Sequence, residues 1–235
     1  MAPRRIFALS TTTHSADKST SVAMLDTCTL TMHSMYPDAE IRAVNANDLH
    51  IVENLSCYAN GKKNCADPAS GPYRCWANYL SNKNPEEYGG RDQMSVIYDG
   101  LMWADTVLFA TSVRWGSHSA LAQKIIERMD TLENRAVSFG ESYPLRGKKL
   151  GVIATGAHWH TGEMANRLNE TLRWFGFATA PDDTSVLAWQ RSGDPFFEHP
   201  DNDRPYLEKW TLTPKGAWAV DRFARSVLSA NKVWV

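Results

Sequence analysis

The sequence lacks the features that would point to a membrane, to nucleic acid or to a disulfide scaffold. Its 235 residues contain no apolar run near the roughly 20 residues that span a bilayer. The formal net charge is -1, so charge gives no case for a nucleic-acid or acidic-membrane partner. There are only four cysteines and no recognisable secretory h-region at the N-terminus. We therefore expect a cytoplasmic protein with reduced thiols.

Several catalytic and metal-binding motifs are also missing. The chain has no G-x-x-x-x-G-K-[ST], G-x-G-x-x-G, G-x-S-x-G or H-E-x-x-H, which argues against Walker, dinucleotide, serine-hydrolase and zincin chemistry. No C-x-x-C occurs, and Cys57, Cys65 and Cys75 are separated by seven and nine residues. We expect no metal centre from this spacing. Structural cysteines are the favoured interpretation, with a redox disulfide as the alternative.

Apolar patterns along the chain alternate between strand and helix periodicity. Strands are predicted over residues 5–10, 39–44, 105–111 and 148–155, with a less regular fifth over 177–189 that Pro181 interrupts. Helices are predicted over residues 19–35 and 117–129, after a capping Thr161, and after Thr213-Pro214. Repeated βα units favour an α/β fold: a flavodoxin-like three-layer sandwich. Its five-stranded parallel sheet has the order 2-1-3-4-5, with helices on both faces.

We predict one flavodoxin-like domain over residues 1–235 with two additions to the simple alternation. Residues 49–95 form an insertion that contains three of the cysteines, and residues 190–235 form a C-terminal loop–helix extension. Within the extension, the acidic and aromatic stretch 194–203 is interpreted as an interface loop.

Polar loops follow three of the predicted strands. The first holds Ser10 and leads to Ser19, Thr20 and Ser21; the second covers residues 112–119; the third begins at Gly156. The carboxyl ends of parallel strands meet at one edge of a sheet, so we expect one crevice there. Hydroxyls at a helix start can bind a phosphate, although an ordinary capped turn would look the same in the first loop.

The second loop resembles a segment of the NAD(P)H-dependent FMN reductase superfamily. Residues 104–119 are similar to its Ala-Asp, apolar strand, Thr-Pro-Val-Tyr-Trp-Gly-x-x-Ser pattern, and the resemblance covers roughly residues 4–180. The nearest branch is related to iron–sulfur flavoproteins, without the cluster cysteines. Ser112 and Arg114 replace the usual Pro and Tyr, and the first loop lacks the usual Gly, Pro and Arg.

The resemblance implies FMN as cofactor, NAD(P)H as co-substrate and a small-molecule acceptor such as a flavin, quinone, nitro or azo compound. It also implies a homodimer or homotetramer. The residues that it places at FMN are Ser10, Ser19, Thr20, Ser21, Ser112, Val113, Arg114, Trp115, Gly116, Thr155, Gly156, Ala157 and His158. Hydride chemistry belongs to the flavin, so no catalytic side chain is assigned. The alternatives are a flavodoxin-like electron carrier and a cofactor-free binding domain.

Two of these residues have more than one interpretation. Arg114 could stabilise a reduced, anionic flavin, or could point outward to a nicotinamide-coenzyme phosphate. His158 could donate to a flavin carbonyl or a substrate oxygen, or could be a surface loop residue.

Overall fold

The computed structural model describes residues 4–57, 64–181, 184–192 and 203–233, whose strands form one mixed sheet with helices on both faces. The strands are β1 (Arg5–Ser10), β2 (Glu40–Asn45), β3 (Thr106–Ser112), β4 (Lys149–Gly156), β5 (Ala178–Thr179), β6 (Val186–Gln190) and β7 (Lys232–Val233). The α-helices are α1 (Thr20–Met35), α2 (Trp76–Lys83), α3 (Met94–Trp103), α4 (Ala120–Val137), α5 (Thr161–Arg173), α6 (Arg204–Thr211) and α7 (Pro214–Ser229).

The sheet has the order β2-β1-β3-β4, and all of these pairings are parallel. On the far side of β4, β6 pairs with its carboxyl half and β5 with Lys149 near its amino end. The flavodoxin-like order 2-1-3-4-5 is therefore confirmed, with the fifth position divided between β5 and β6. The short β7 adds an antiparallel edge beyond β5, which the predicted five-stranded parallel sheet did not include.

The central strands are apolar on both faces because helices cover both sides of the sheet. Neighbouring strand residues point to opposite faces, so Phe7 and Leu9 enter one core while Ile6 and Ala8 enter the other. The first core packs against α3, α4 and α5, and the second against α1 and α7. These two cores hold β1, β3 and β4 rigidly, so the loops at their carboxyl ends start from fixed positions.

Several element boundaries differ from the predictions. Strands β2, β3 and β4 each begin and end one residue later than predicted, and larger differences affect two helices and the fifth strand. Helix α4 starts at Ala120, because Ser119 is its N-cap, and continues to Val137 rather than ending at residue 129. The predicted cap Thr161 is instead the first residue of α5; His160 holds the N-cap position with a left-handed φ of 61°. The fifth strand is broken around Pro181, which cannot donate a ladder hydrogen bond.

Part of the predicted insertion is anchored to α4 by a buried ion pair. Arg128 Nη2 donates to Asp92 Oδ2 at 2.6 Å, and the two side chains are 1% and 0% exposed. Asp92 also accepts from Asn78 Nδ2 at 3.0 Å and from the Val52 N–H at 3.0 Å. Arg128 Nη1 donates to the Val52 carbonyl at 2.6 Å. The segments that contain Val52, Asn78 and Asp92 are thereby held against helix α4.

The four cysteines are buried thiols. Burial raises the pKa of Cys65, with further contributions from Asp130 and the neighbouring thiols. Cys75 Sγ accepts from Arg128 Nη2 at 3.5 Å. Within the described ranges, no group of three or more His, Cys, Asp or Glu side chains is arranged to hold a metal ion. None of the helices described above is long and apolar enough to cross a membrane. Residues 194–202 of the stretch read as an interface loop lie outside the described residues.

Candidate functional site

The three loops after β1, β3 and β4 surround a single cleft of about 800 Å³. Of the thirteen residues predicted at the cofactor, eleven line it: Ser19, Thr20, Ser112, Val113, Arg114, Trp115, Gly116, Thr155, Gly156, Ala157 and His158. The structure adds Thr12, His14, Lys18, Trp159 and Asp203 to the lining. Ser10 and Ser21 do not line it. The convergence expected from strand order is therefore present.

The first loop is held by its own hydroxyl groups. The Thr12 N–H donates to Ser10 Oγ at 3.4 Å, and the His14 N–H donates to Thr12 Oγ1 at 3.2 Å. Ser19 caps α1 by accepting from the Val22 N–H at 3.3 Å, and its Oγ lies 3.0 Å from Ser21 Oγ. Ser10 and Ser21 are buried in these bonds, which explains why they stand behind the cleft surface.

The amino end of α1 opens toward the cleft. Helix geometry leaves its first amides without intrahelical acceptors, and the side chain of Ser19 satisfies only that of Val22. The aligned peptide dipoles also make this end partly positive. Thr20 reaches across to the third loop, because its Oγ1 lies 2.9 Å from Thr155 Oγ1. The first and third loops are thus joined directly beside a natural anion-binding position.

The second loop contains a tight two-residue turn. The Arg114 N–H donates to the Ser117 carbonyl at 2.7 Å, and the Ser117 N–H donates back to Arg114 at 2.9 Å. Trp115 and Gly116 between them have φ values of 49° and 75°, the signature of a type I′ turn. Such a turn suits Gly116 but is unfavourable for tryptophan. Trp115 is nevertheless 94% exposed, so core packing does not hold it there.

Ser119 connects the second loop to the first. Its Oγ donates to the Thr11 carbonyl at 2.7 Å and accepts from the Ala122 N–H at 3.0 Å, which caps α4. The sequence indicates a hydroxyl residue at a helix start, but it cannot show the bond to a residue 108 positions earlier.

The third loop passes close to both of its neighbours. A Cβ added to Gly156 would lie 2.4 Å from Thr161 Oγ1 and 3.2 Å from a Val113 methyl, so only glycine fits without rearrangement. Further along, the Trp159 and His160 rings meet edge to face with centroids 4.6 Å apart. A Cβ added to Gly116 would lie 3.7 Å from an atom of each ring, so the third loop passes close to the turn of the second.

One buried side-chain atom of the cleft lining has no partner in the described part of the chain. Ser112 is 8% exposed, and its buried Oγ makes no hydrogen bond to any described residue. A buried hydroxyl without a partner costs about 1–3 kcal/mol, so native structures rarely retain one without a reason. A ligand with a hydrogen-bonding group would satisfy Ser112. This unpartnered atom, together with the close backbone approach at Gly156, fits a flat, polar cofactor such as FMN.

The C-terminal part of the chain completes the cleft. Asp203 lines it and forms an ion pair with Arg191, whose guanidinium lies 3.9 Å from the Tyr206 ring centroid. The Arg191 N–H donates to the Gly156 carbonyl at 3.0 Å. Arg204 Nη1 donates to the carbonyls of residues 16 and 17 in the first loop, at 3.0 and 3.1 Å. Sequence reasoning missed these contacts because nothing in the local pattern links residues so far apart.

The charges around the cleft are mostly positive. Lys18 lies on the first loop and Arg114 on the second, whereas the acidic lining residue Asp203 is already paired with Arg191. The sequence analysis did not single out His14 or Lys18, and the signal that could have found them is their position in the hydroxyl-rich first loop between Ser10 and Ser19. The arrangement favours ligands with more than one anionic group.

Comparison with known proteins agrees with this geometry. A family model described as NADPH-dependent FMN reductase matches residues 15–190. No curated protein sequence matches the chain. The solved structure of RosB with bound 8-demethyl-8-formylriboflavin-5'-phosphate has a TM-score of 0.69 at 14% identity, over 95% of this chain and 77% of that one. An FMN-dependent NADH-azoreductase from Bacillus anthracis in complex with FMN gives 0.55 at 12%, over 96% and 98%.

A putative quinone reductase from Klebsiella pneumoniae has a TM-score of 0.53 at 17% identity, over 97% of this chain and 86% of that one. Likeness at these identities shows a shared fold. The family match is more specific, because it runs from within the first loop through all of the second and third. It confirms the superfamily resemblance drawn from residues 104–119. The chain belongs to the NADPH-dependent FMN reductase family and is an FMN-dependent NAD(P)H oxidoreductase of flavodoxin-like fold.

Proposed function

We propose that the cleft formed by the three loops is the FMN site of this enzyme. The observation that carries the proposal is Ser112, a residue of the cleft lining whose buried hydroxyl has no partner among the described residues. Thr12, Ser19 and Thr20 would hold the phosphate together with the first amides of α1, helped by Lys18 and the helix dipole. Ser10 and Ser21 would not contact the phosphate, because their hydroxyls form hydrogen bonds that fix the first loop.

The second and third loops would hold the rest of the cofactor. Val113, Arg114, Trp115 and Gly116 lie on one side of the cleft, and Thr155, Gly156, Ala157 and His158 on another. Their contribution is to bind, orient and shield, because bound FMN itself supplies the capacity to take up a hydride and pass on electrons. The Val113 N–H donates to the Thr155 carbonyl at 2.9 Å, and this bond joins the two loops.

The acceptor is proposed to be a small molecule of the flavin, quinone, nitro or azo type. Support comes from the openness of the second loop, where the exposed Trp115 offers a flat apolar surface beside the cleft. Such a surface suits planar aromatic compounds. A protein acceptor would need a larger exposed patch around the flavin edge.

We further propose a homodimer or homotetramer in the cytoplasm. Large apolar side chains of α2 and α3 are exposed, namely Tyr79, Val96 and Met102, and surface of this kind supports association. Four buried cysteine thiols that form no disulfide with one another suit a reducing compartment. Mass measured by light scattering during gel filtration tests the assembly: a 26.4 kDa particle at micromolar concentration would contradict it.

The function is tested by a visible spectrum of the purified protein with added FMN, followed by NADPH under anaerobic conditions. We expect bound flavin whose absorption bands bleach when NADPH is added. Bands that persist with both NADPH and NADH would instead indicate a carrier reduced by another protein. A protein that binds no FMN would overturn the site and favour a cofactor-free binding domain.

A further inference from the structure

Two cationic side chains of Lys and Arg type line the cleft, and they lie on different loops. Lys18 directly precedes Ser19, the N-cap of α1, and both residues line the cleft, so Lys18 belongs with the proposed phosphate position. Arg114 is on the second loop. Elsewhere around the cleft, Arg191 and Arg204 are paired with Asp203 and Glu208. Arg114 makes no ion pair with an acidic side chain in the described ranges, so its charge is available to a ligand.

The backbone of Arg114 is fixed even though its side chain is exposed. Both of its peptide groups bond to Ser117 across the type I′ turn, and the preceding Val113 N–H donates to the Thr155 carbonyl at 2.9 Å. A guanidinium on such a base can search only a limited volume at the rim of the cleft. Limited freedom reduces the entropy lost when an anion binds.

Trp115 follows Arg114 directly and also lines the cleft. At 94% exposure it presents both faces of its indole to solvent, and its positive φ of 49° makes this position unfavourable for a bulky residue. A strained backbone conformation at a residue whose exposed side chain gains no packing is typical of functional positions. An indole stacks on aromatic rings, and a guanidinium binds phosphate or sulfonate through paired hydrogen bonds.

We propose that Arg114 and Trp115 form a rim site for an aromatic group that carries a phosphate or sulfonate. This inference rests on the proposed function, because FMN is taken to fill the cleft behind the rim. Two sources share this chemistry: the 2′-phosphoadenosine of NADPH, and an acidic aromatic acceptor. In either case Arg114 determines specificity, because it binds the ligand that carries the phosphate or sulfonate more tightly than the analogue that lacks this group.

Direct binding tests the site without turnover. Titration calorimetry is carried out on FMN-saturated protein with adenosine 2′,5′-bisphosphate and with adenosine 5′-monophosphate. We expect the bisphosphate to bind more tightly, and R114Q to weaken it by roughly tenfold, the usual size of a lost charge-assisted bond. W115A is expected to weaken both nucleotides alike. The matched control R167Q removes the same charge from an exposed position of α5 outside the cleft and should change nothing.

Steady-state kinetics separate the two sources. A rise in the ratio of KM for NADPH to KM for NADH in R114Q, relative to R167Q, identifies the coenzyme phosphate. A rise confined to the KM of a sulfonated quinone, with that of a neutral quinone unchanged, identifies an acidic acceptor. Unchanged bisphosphate binding together with unchanged ratios would overturn the rim site, while FMN binding and bleaching by NADPH would leave the proposed function standing. A wild type that binds no FMN would instead overturn the proposed function, and the rim inference that rests on it would fall with it.

Discussion

At the scale of single residues, the hydroxyl groups around the cleft are of two kinds. Ser10, Ser19 and Ser119 are committed to backbone amides and carbonyls of the loops, whereas the Ser112 hydroxyl makes no bond to a described residue. The committed groups build the shape of the cleft. The Ser112 hydroxyl lowers the stability of the free protein and is available to a ligand.

Replacement of Ser112 by alanine should therefore affect the stability of the FMN-free protein and the affinity for FMN in opposite directions. We expect S112A to keep or slightly raise the melting temperature of the FMN-free protein, and to weaken FMN binding by about tenfold. Fluorescence titration and thermal unfolding measure the two effects. The matched control is S185A, because Ser185 Oγ is also buried without a described partner but lies outside the cleft. Equal loss of FMN affinity in both variants would count against a contact from Ser112.

Trp115 offers a second test at this scale. Asparagine tolerates a left-handed backbone, and W115N creates an Asn-Gly pair, the preferred sequence of a type I′ turn. Since the indole is exposed, little packing is lost. We expect the free energy of unfolding to rise by about 1 kcal/mol in denaturant titration, while activity with aromatic acceptors falls. A fall in stability would show that the indole makes stabilising contacts after all.

At the scale of elements, strands were easier to predict than helices. The Ile6–Leu9 run is apolar on both faces, which only a central strand of a covered sheet requires, and β1 begins and ends as predicted. Helix limits depend on caps, and the cap of α5 is His160 in a left-handed conformation rather than the hydroxyl residue Thr161. Helix α2 was not predicted, and its Asn78 bonds to Asp92, a partner that local periodicity does not indicate.

That pair should dominate the stability of the α4 region. D92N would leave the Arg128 charge buried without a counter-charge, and we expect a loss of about 3–5 kcal/mol in the free energy of unfolding. The exposed pair Asp221–Arg225 on α7 supplies the control, so D221N should leave stability unchanged within error. A small effect of D92N would show that water or repacking compensates.

The same pair predicts a pH dependence. Burial opposes ionisation of Asp92, but bonds from Arg128, Val52 and Asn78 outweigh it, so its pKa is lowered. A lowered pKa means that the stabilisation is fully present above the unfolded carboxyl value of about 4 and is lost as pH falls through the folded value. The stability difference between wild type and D92N should therefore be constant near neutral pH and shrink below about pH 4. A difference that persists unchanged in strong acid would contradict this origin.

At the scale of the whole molecule, the site joins regions from both ends of the chain. Strand order alone brings the three loops together, which is why the crevice could be predicted. The contribution of Asp203 and Arg204 could not, because Arg204 bonds to carbonyls that lie 188 and 187 residues earlier. Such contacts arise from where α6 packs on α1, and local periodicity carries no information about that.

We expect the hydrogen bonds from Arg204 to restrict the conformations of the first loop. R204M removes two hydrogen bonds to the loop that would hold the FMN phosphate, so the loop should sample more conformations in the free protein. We expect faster hydrogen exchange of the amides near residues 16–20, and FMN binding weakened by about tenfold. E208Q is the control, since it removes the ion-pair partner of Arg204 while the guanidinium remains near the loop. If R204M and E208Q behave alike, the surface ion pair rather than the loop contact matters. If R204M alone loosens the loop, then α6 acts on the cofactor site from the far end of the sequence, and FMN binding should in turn protect α6 from exchange.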